Sequence, residues 1–189
     1  MSGGSVFALN RVLVPTNLGE PSRTAIHYGV AFARQFGAKL FLLHVLDARK
    51  FDAALETERV LEVLSPDAER PAGEPSALDV ARNAARHDLS QLLARDEERD
   101  TRAEYLLRAS GLPGPAEAIS ECARELDVEL IVMGKHHLGF VDQLLTGSVA
   151  EKVLRHAPCP VLIVQYPTAD TASRARHFVV DAAPTHAVR

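Results

Sequence analysis

Cysteine is scarce, long apolar runs are missing and positive charge has no excess, and each shortage removes a class of function. Two cysteines occur in 189 residues. Cys122 falls in a helical pattern and Cys159 just before a strand, so each reads as a small buried hydrophobe and not as half of a disulfide framework. No stretch approaches the roughly 20 consecutive apolar residues that a membrane helix needs. Met1 to Asn10 has neither the charged start nor the apolar core of an export signal, so the chain reads as cytoplasmic with no membrane partner. The 21 Lys and Arg are outnumbered by 25 Asp and Glu, for a net charge of −4. The basic residues are scattered, which argues against nucleic acid as a partner.

What is present is a globular composition, 47% hydrophobic, enough to bury a sizeable core within one domain of ordinary size. Residues 1–10 read as a flexible start, 11–166 as the domain and 167–189 as a polar, alanine-rich tail. Val12 to Pro15, entered from Arg11, is a short β-branched run closed by Pro-Thr-Asn and reads as a strand. Glu20-Pro21 opens a helix whose apolar face is Ile26, Gly29, Val30 and Ala33, and Gly37 supplies its stop. Lys39 to Leu46 is a second strand, apolar nearly throughout and therefore covered on both faces.

Residues 47–75 combine a short amphipathic pattern at Val60, Leu61 and Leu64 with Pro66, Pro71, Gly73 and Pro75. The segment follows a strand's carboxyl end and is read as irregular chain or as a lid. Leu78, Ala81, Ala85, Leu89 and Leu92 mark a long helix ending in the charged run Arg95 to Asp100. Arg102 to Ala109 is a third strand. Pro115 starts a helix with the stripe Ile119, Cys122, Ala123 and Leu126. Leu130 to Met133 is a fourth strand ended by Gly134. The next helix carries Ala150, Val153, Leu154 and Ala157 on one face, Pro158-Cys159-Pro160 halts it, and Val161 to Val164 is a fifth strand. Strands alternating with helices predict an α/β fold, a three-layer α/β/α sandwich around a five-stranded parallel sheet. Ligands of such Rossmann-like sheets lie beyond the strand carboxyl ends where strand order reverses, and the segments ending at Asn17 and Gly134 are the expected neighbours of that point.

The stretch from Leu130 to Val149 carries the chemistry. A buried strand, a glycine and a helix start bring unpaired N–H groups and the positive end of a helix dipole together, which suits an anion. Gly134 and Gly139 have Walker-like spacing, but Phe140-Val141 stand where Lys-Ser/Thr would be needed, so a Walker-type NTPase is not expected. Gly147, Ser148 and Val149 are the better phosphate candidates. Ser148-Val-Ala-Glu151 also fits a capping box, worth about 0.5–2 kcal/mol without any ligand. The two roles are compatible. His136 and His137, adjacent in a loop near Asp142, point apart and lack further ligands at suitable spacing, so no metal site is expected. His44 reads as a satisfied core histidine. Ser22 and Ser148 lack a nucleophile-elbow context, and no residue is assigned a catalytic role.

Val12-Leu-Val-Pro-Thr-Asn17, Leu43-His-Val-Leu-Asp47, Ile131-Val-Met-Gly134, Thr146-Gly-Ser-Val-Ala-Glu151 and Ala157-Pro-Cys-Pro-Val-Leu-Ile-Val164 together resemble the universal stress protein family, over roughly 11–165. The resemblance implies an adenine nucleotide α-hydrolase-like sheet of five parallel strands, often paired into homodimers through the last strand, here Val161 to Val164. It implies ATP or AMP, with magnesium possible beside ATP, held by a Gly-x2-Gly-x9-Gly-Ser/Thr motif. Gly134, Gly147 and Ser148 match that motif and would embrace the phosphates, with the Val149 amide beside them. Val45 would meet adenine through its backbone, flanked by Pro15 and Thr16 and lined by Met133. The chain departs from the family at two points. Asn17 stands where an aspartate is usual, and His137 where the motif has its second glycine, with Gly139 two residues on. The role implied is stress regulation or protection without turnover. The alternative is a nucleotide-independent interaction protein of the same fold, and slow ATP hydrolysis is a third reading.

Overall fold

The computed structural model describes residues 8–47, 75, 77–110, 114–135 and 149–165. Its elements are β1 (Arg11–Thr16), α1 (Glu20–Phe36), β2 (Lys39–Asp47), α2 (Ala77–Ser90), α3 (Arg95–Thr101), β3 (Glu104–Ser110), α4 (Pro115–Glu125), β4 (Leu130–Lys135), α5 (Val149–His156) and β5 (Val161–Gln165). All five strands are parallel, in the order β3-β2-β1-β4-β5. Because side chains alternate along a strand, β1 feeds two cores. Val12 and Val14 face Ile26, Val30 and Ala33 of α1 and Leu89 of α2. Leu13 faces Ile119, Cys122 and Ala123 of α4 and Val153 of α5. This is the three-layer sandwich that the alternation predicts, and the nearly continuous apolar run of β2 is covered on both faces, as expected.

The first helix forms as the sequence indicates. Pro21 sits in its opening turn, and Gly37 closes it at φ 65, a left-handed conformation that costs glycine little. Gly29 has a different purpose: a Cβ there would lie 2.4 Å from Val14 Cγ2. The missing side chain is what lets α1 lie close on β1.

Several boundaries differ from the sequence reading. The single long helix expected through Asp100 is two, because the chain breaks between Ser90 and Arg95. The second piece, α3, is held by its own contacts: the Glu97 carboxylate accepts the Ala94 N–H at 2.9 Å, and Arg34 of α1 reaches Asp96 and Asp100 at 3.1 and 3.0 Å. The third strand begins at Glu104, not Arg102, because Arg102 takes φ 49 at the end of α3 while its guanidinium donates to the Gly37 carbonyl at 2.7 Å. Gly134 does not end β4, since the strand continues to Lys135 and Gly134 pairs with Val164. On α5, Val153 is fully buried, but Leu154 is 46% exposed and does not belong to the buried face.

The entry to β1 is pinned by charge. The Glu129 carboxylate accepts the backbone N–H of Asn10 and, at 3.1 Å, that of Arg11. The first of these bonds, with the Asn10 side chain and the Arg11 charge, holds its pKa below the ordinary glutamate value. A lowered carboxylate contributes stability that is present above the unfolded-state pKa, about 4.3, and is lost as pH falls through the folded value. Glu129→Gln is therefore expected to flatten the acid limb of a thermal-stability profile below about pH 4.3 and to leave its shape at pH 7 unchanged. Parallel wild-type and variant acid limbs would show that this carboxylate has no such role.

Candidate functional site

From β1 the chain steps outward to β2 and β3, then returns to the other side of β1 for β4 and β5. Strand order therefore reverses between β1 and β4. Pairing there is brief, with ladder partners at Val12↔Leu130 and Leu13↔Ile131 only. Each strand meanwhile stays with its outer neighbour: β1 pairs with β2 as far as Thr16↔His44, and β4 with β5 as far as Lys135↔Gln165. The β1–β4 ladder thus ends well before the carboxyl ends of either strand, at the point where ligands of such sheets are expected. Both strands predicted to border the reversal point do so.

Of the residues singled out from sequence, Pro15 and Thr16 end β1 and are buried, and Asn17 follows them exposed. Val45 lies on β2, half-buried and packed against the α4–α5 core. Met133, 7% exposed, and Gly134 lie near the end of β4. Val149 opens α5 and is exposed. These residues converge on one end of the sheet. His136, His137, Gly139, Gly147 and Ser148, and with them the capping reading of Ser148, lie outside the described residues, as do most of the suggested lid at 47–75 and the tail at 167–189.

The loop leaving β1 is closely bonded. Thr16 Oγ1 accepts the Leu18 N–H at 2.9 Å. Asn17 Oδ1 accepts the Gly19 N–H at 3.0 Å and the Ser22 hydroxyl at 2.7 Å, while Ser22 Oγ accepts the Asn17 N–H at 3.1 Å. Leu18 is driven to φ 64. A non-glycine residue in that region costs of order 1–3 kcal/mol and persists only where its surroundings over-determine it. Here they do, through these four bonds and the packing of Leu18 against the α1 core. His44 donates from Nδ1 to the Thr16 carbonyl at 2.8 Å. A carbonyl only accepts, so the proton sits on Nδ1, and His44 is the satisfied histidine expected, placed where it steadies the end of β1.

Sequence reasoning weighed Ser22 only as a nucleophile and missed its bonds to Asn17. Asparagine two residues before Gly19 is the usual signal of an Asx turn, but a serine five residues on follows no such pattern. It also passed over Ser110 and Glu117, whose buried Oγ and Oε2 atoms have no hydrogen-bond partner among the described residues. Ser110 ends β3 level with Asp47 of β2, at the same end of the sheet.

The remaining candidates fall away from this end. Cys122 is buried and Cys159 half-buried, both unpaired, and burial pushes both thiols up, Arg108 opposing this only partly at Cys122. Neither is a poised thiolate. Among the described residues there is no group of three or more His, Cys, Asp or Glu able to hold a metal. Nor, among them, is any helix long and apolar enough to cross a membrane.

A parallel α/β/α sandwich whose strand order reverses at its middle defines a class of sheet proteins that take ligands at the carboxyl edge. The chain belongs to the universal stress protein family, whose profile matches residues 8–165. It is 27% identical over 158 residues to a universal stress protein of Methanocaldococcus jannaschii, covering 83% of this chain and 82% of that one. Among solved structures it resembles a universal stress family protein from Burkholderia pseudomallei, with 25% identity, a TM-score of 0.53, and coverage of 82% of this chain and 95% of the other. It also shares its fold with a universal stress protein solved in complex with cAMP, at 21% identity and a TM-score of 0.52, covering 84% of this chain and 98% of that one.

Proposed function

We propose that the protein binds an adenine nucleotide, ATP or AMP, between the carboxyl ends of β1 and β4, and acts as a regulator or protective factor in a stress response. The observation that carries this reading is the end of the β1–β4 ladder at Leu13 and Ile131, while both strands remain paired on their outer sides. Beyond that point the facing backbone groups of β1 and β4 are not paired with each other, at the reversal point where nucleotides bind in sheets of this kind. The Gly134, Gly147 and Ser148 pattern supplies the anion-binding half, with Val149 at the start of a helix that favours negative charge. Val45, Pro15 and Thr16 supply the half for the base. The cAMP complex of a family member is consistent with an adenine ligand.

Binding without turnover is the form proposed, with magnesium accompanying ATP as a counter-ion, in the cytoplasm. The first test is mass spectrometry of nucleotide released from freshly purified protein, joined to calorimetry with ATP and AMP. A bound adenine nucleotide, or titratable affinity for one, is expected; no affinity at millimolar concentration would remove the reading. Phosphate release from ATP, with and without magnesium, is expected to stay at background. Magnesium-dependent release would restore the hydrolase alternative.

The partner proposed is a second copy of this chain, meeting it along β5. This strand is an edge of the sheet, and Val161, Leu162 and Ile163 along it are only half-buried. An apolar, unpaired edge invites pairing. Sedimentation equilibrium at micromolar concentration is expected to give twice the chain mass of 20.5 kDa. The single-chain mass would exclude the pairing.

A further inference from the structure

We propose that the chain beyond β5 folds back over the face of the sheet that carries α1, and that Phe178 and Val180 seat on an apolar strip between this helix and β5. The inference is independent of the nucleotide reading, since no residue of the strip is assigned to that site.

The strip follows from how α1 lies on the sheet. Ile26, Val30 and Ala33 set the helix on Val12 and Val14 of β1, Val132 of β4 and Val164 of β5. Arg34 leaves the helix on one flank and reaches Asp96 and Asp100 of α3, which leads into β3 at the far edge of the sheet. At 3.6 residues per turn, Tyr28 and Phe32 project from the opposite flank, the one turned toward β5. Phe32 is only partly buried against the core, and Phe36 stacks on it with ring centroids 6.3 Å apart. Tyr28 is 50% exposed. On β5, Leu162 faces α1 and is itself only half-buried. The whole chain has 3 Tyr, 7 Phe and no Trp. Aromatics placed four residues apart are neighbours on a helix surface, and with Leu162 they gather apolar area at one border of the sheet, as docking sites do.

The occupant follows from where the chain goes next. β5 ends at Gln165, and residues 166–189 continue from the strand that borders the strip. That sequence is mostly polar or alanine, and its one run of large apolar residues is Phe178-Val179-Val180. In an extended segment Phe178 and Val180 share a side, and Val179 faces away. The thirteen steps from Gln165 to Phe178 span up to about 43 Å, whereas the 17 residues of α1 extend about 25 Å. Phe178 therefore reaches any point along the helix. A segment tethered at the strip's own border also has an effective concentration that a second copy lacks. The hydrogen-bonding edge of β5 stays free for the pairing proposed above.

The test uses the full chain. Phe178→Ser is expected to lower the melting temperature by about 2–4 °C, and by half of that or less when Tyr28→Ser is already present, because the two side chains share one contact. Equal shifts in both backgrounds, or none in either, would overturn the proposal. The second measurement joins Tyr28→Cys to Val179→Cys with a short bismaleimide in a Cys159→Ser background. A link within one chain is expected. Product at twice the chain mass would give the strip to a second copy and overturn the proposal. So would the absence of any link when both thiols react with a monofunctional maleimide.

Discussion

Gly29→Val is expected to lower the melting temperature by roughly 5–10 °C, at 2–4 °C per kcal/mol for a domain of this size. A Cβ alone at this position would stand 2.4 Å from Val14 Cγ2 and 3.3 Å from Leu40 Cδ1. Neither neighbour can give way. Val14 and Leu40 are fully buried in adjacent central strands, and Val14 is held in the sheet by Leu42 beside it. The helix must lift instead, which loosens Ile26, Val30 and Ala33 from the same core. Overpacking of this kind costs about 1–3 kcal/mol, occasionally more, and valine adds two methyl groups beyond the clashing carbon. Replacing glycine in a helix returns only a few tenths of a kcal/mol when the new residue is β-branched. Gly29→Ala is expected to fall between wild type and Gly29→Val. A Gly29→Val protein melting within about a degree of wild type would mean that α1 and β1 are less closely apposed than described.

Leu13→Ala is expected to cost about 2–5 kcal/mol, the range for a fully buried leucine truncated in a close-packed interior. Leu13 is fully buried on the central strand, against α4 and α5, at the last rung that β1 shares with β4. Its cross-strand neighbours Phe41 and Ile131 belong to strands paired on both sides, so the space left behind cannot readily collapse. Urea unfolding should show a lower midpoint at an unchanged slope, the sign of lost stability and not of an altered denatured state. A midpoint equal to wild type would contradict the placement of this side chain. The two substitutions probe opposite faces of the same strand, and together they test the three-layer arrangement.

Most of the fold was legible because two signals coincided. The run at Val12 to Pro15 is short and β-branched, that at Lys39 to Leu46 is short and apolar nearly throughout with no helical period, and Pro21 and Gly37 punctuate the segment between them. Two of the differences share a cause. Arg95 to Asp100 looked like a solvated helix end because its partners are distant in sequence: Arg34 lies more than sixty residues away, and nothing local announces that pairing. Arg102 was assigned to a strand for the same reason, since its cap conformation depends on the Gly37 carbonyl. Leu154 was placed inside by helical spacing, but α5 is only eight residues long, and one stripe suffices to seat it. At the site, the position of Asn17 could be read from Pro-Thr-Asn closing a strand. Its side-chain orientation could not, because it depends on Ser22, a residue that matched no catalytic pattern. The early end of the β1–β4 ladder is a property of three paired ladders and has no local signature.

The most direct test of the central claim is a titration of isotope-labelled protein with ATP and with AMP, followed through backbone amide chemical shifts. Shifts are expected to concentrate at Asn17, Val45, Gly134 and Val149, the residues proposed to border the nucleotide between the carboxyl ends of β1 and β4, with α2 and the amino ends of the strands unmoved. Shifts confined to another surface, or none at millimolar nucleotide, would contradict the account.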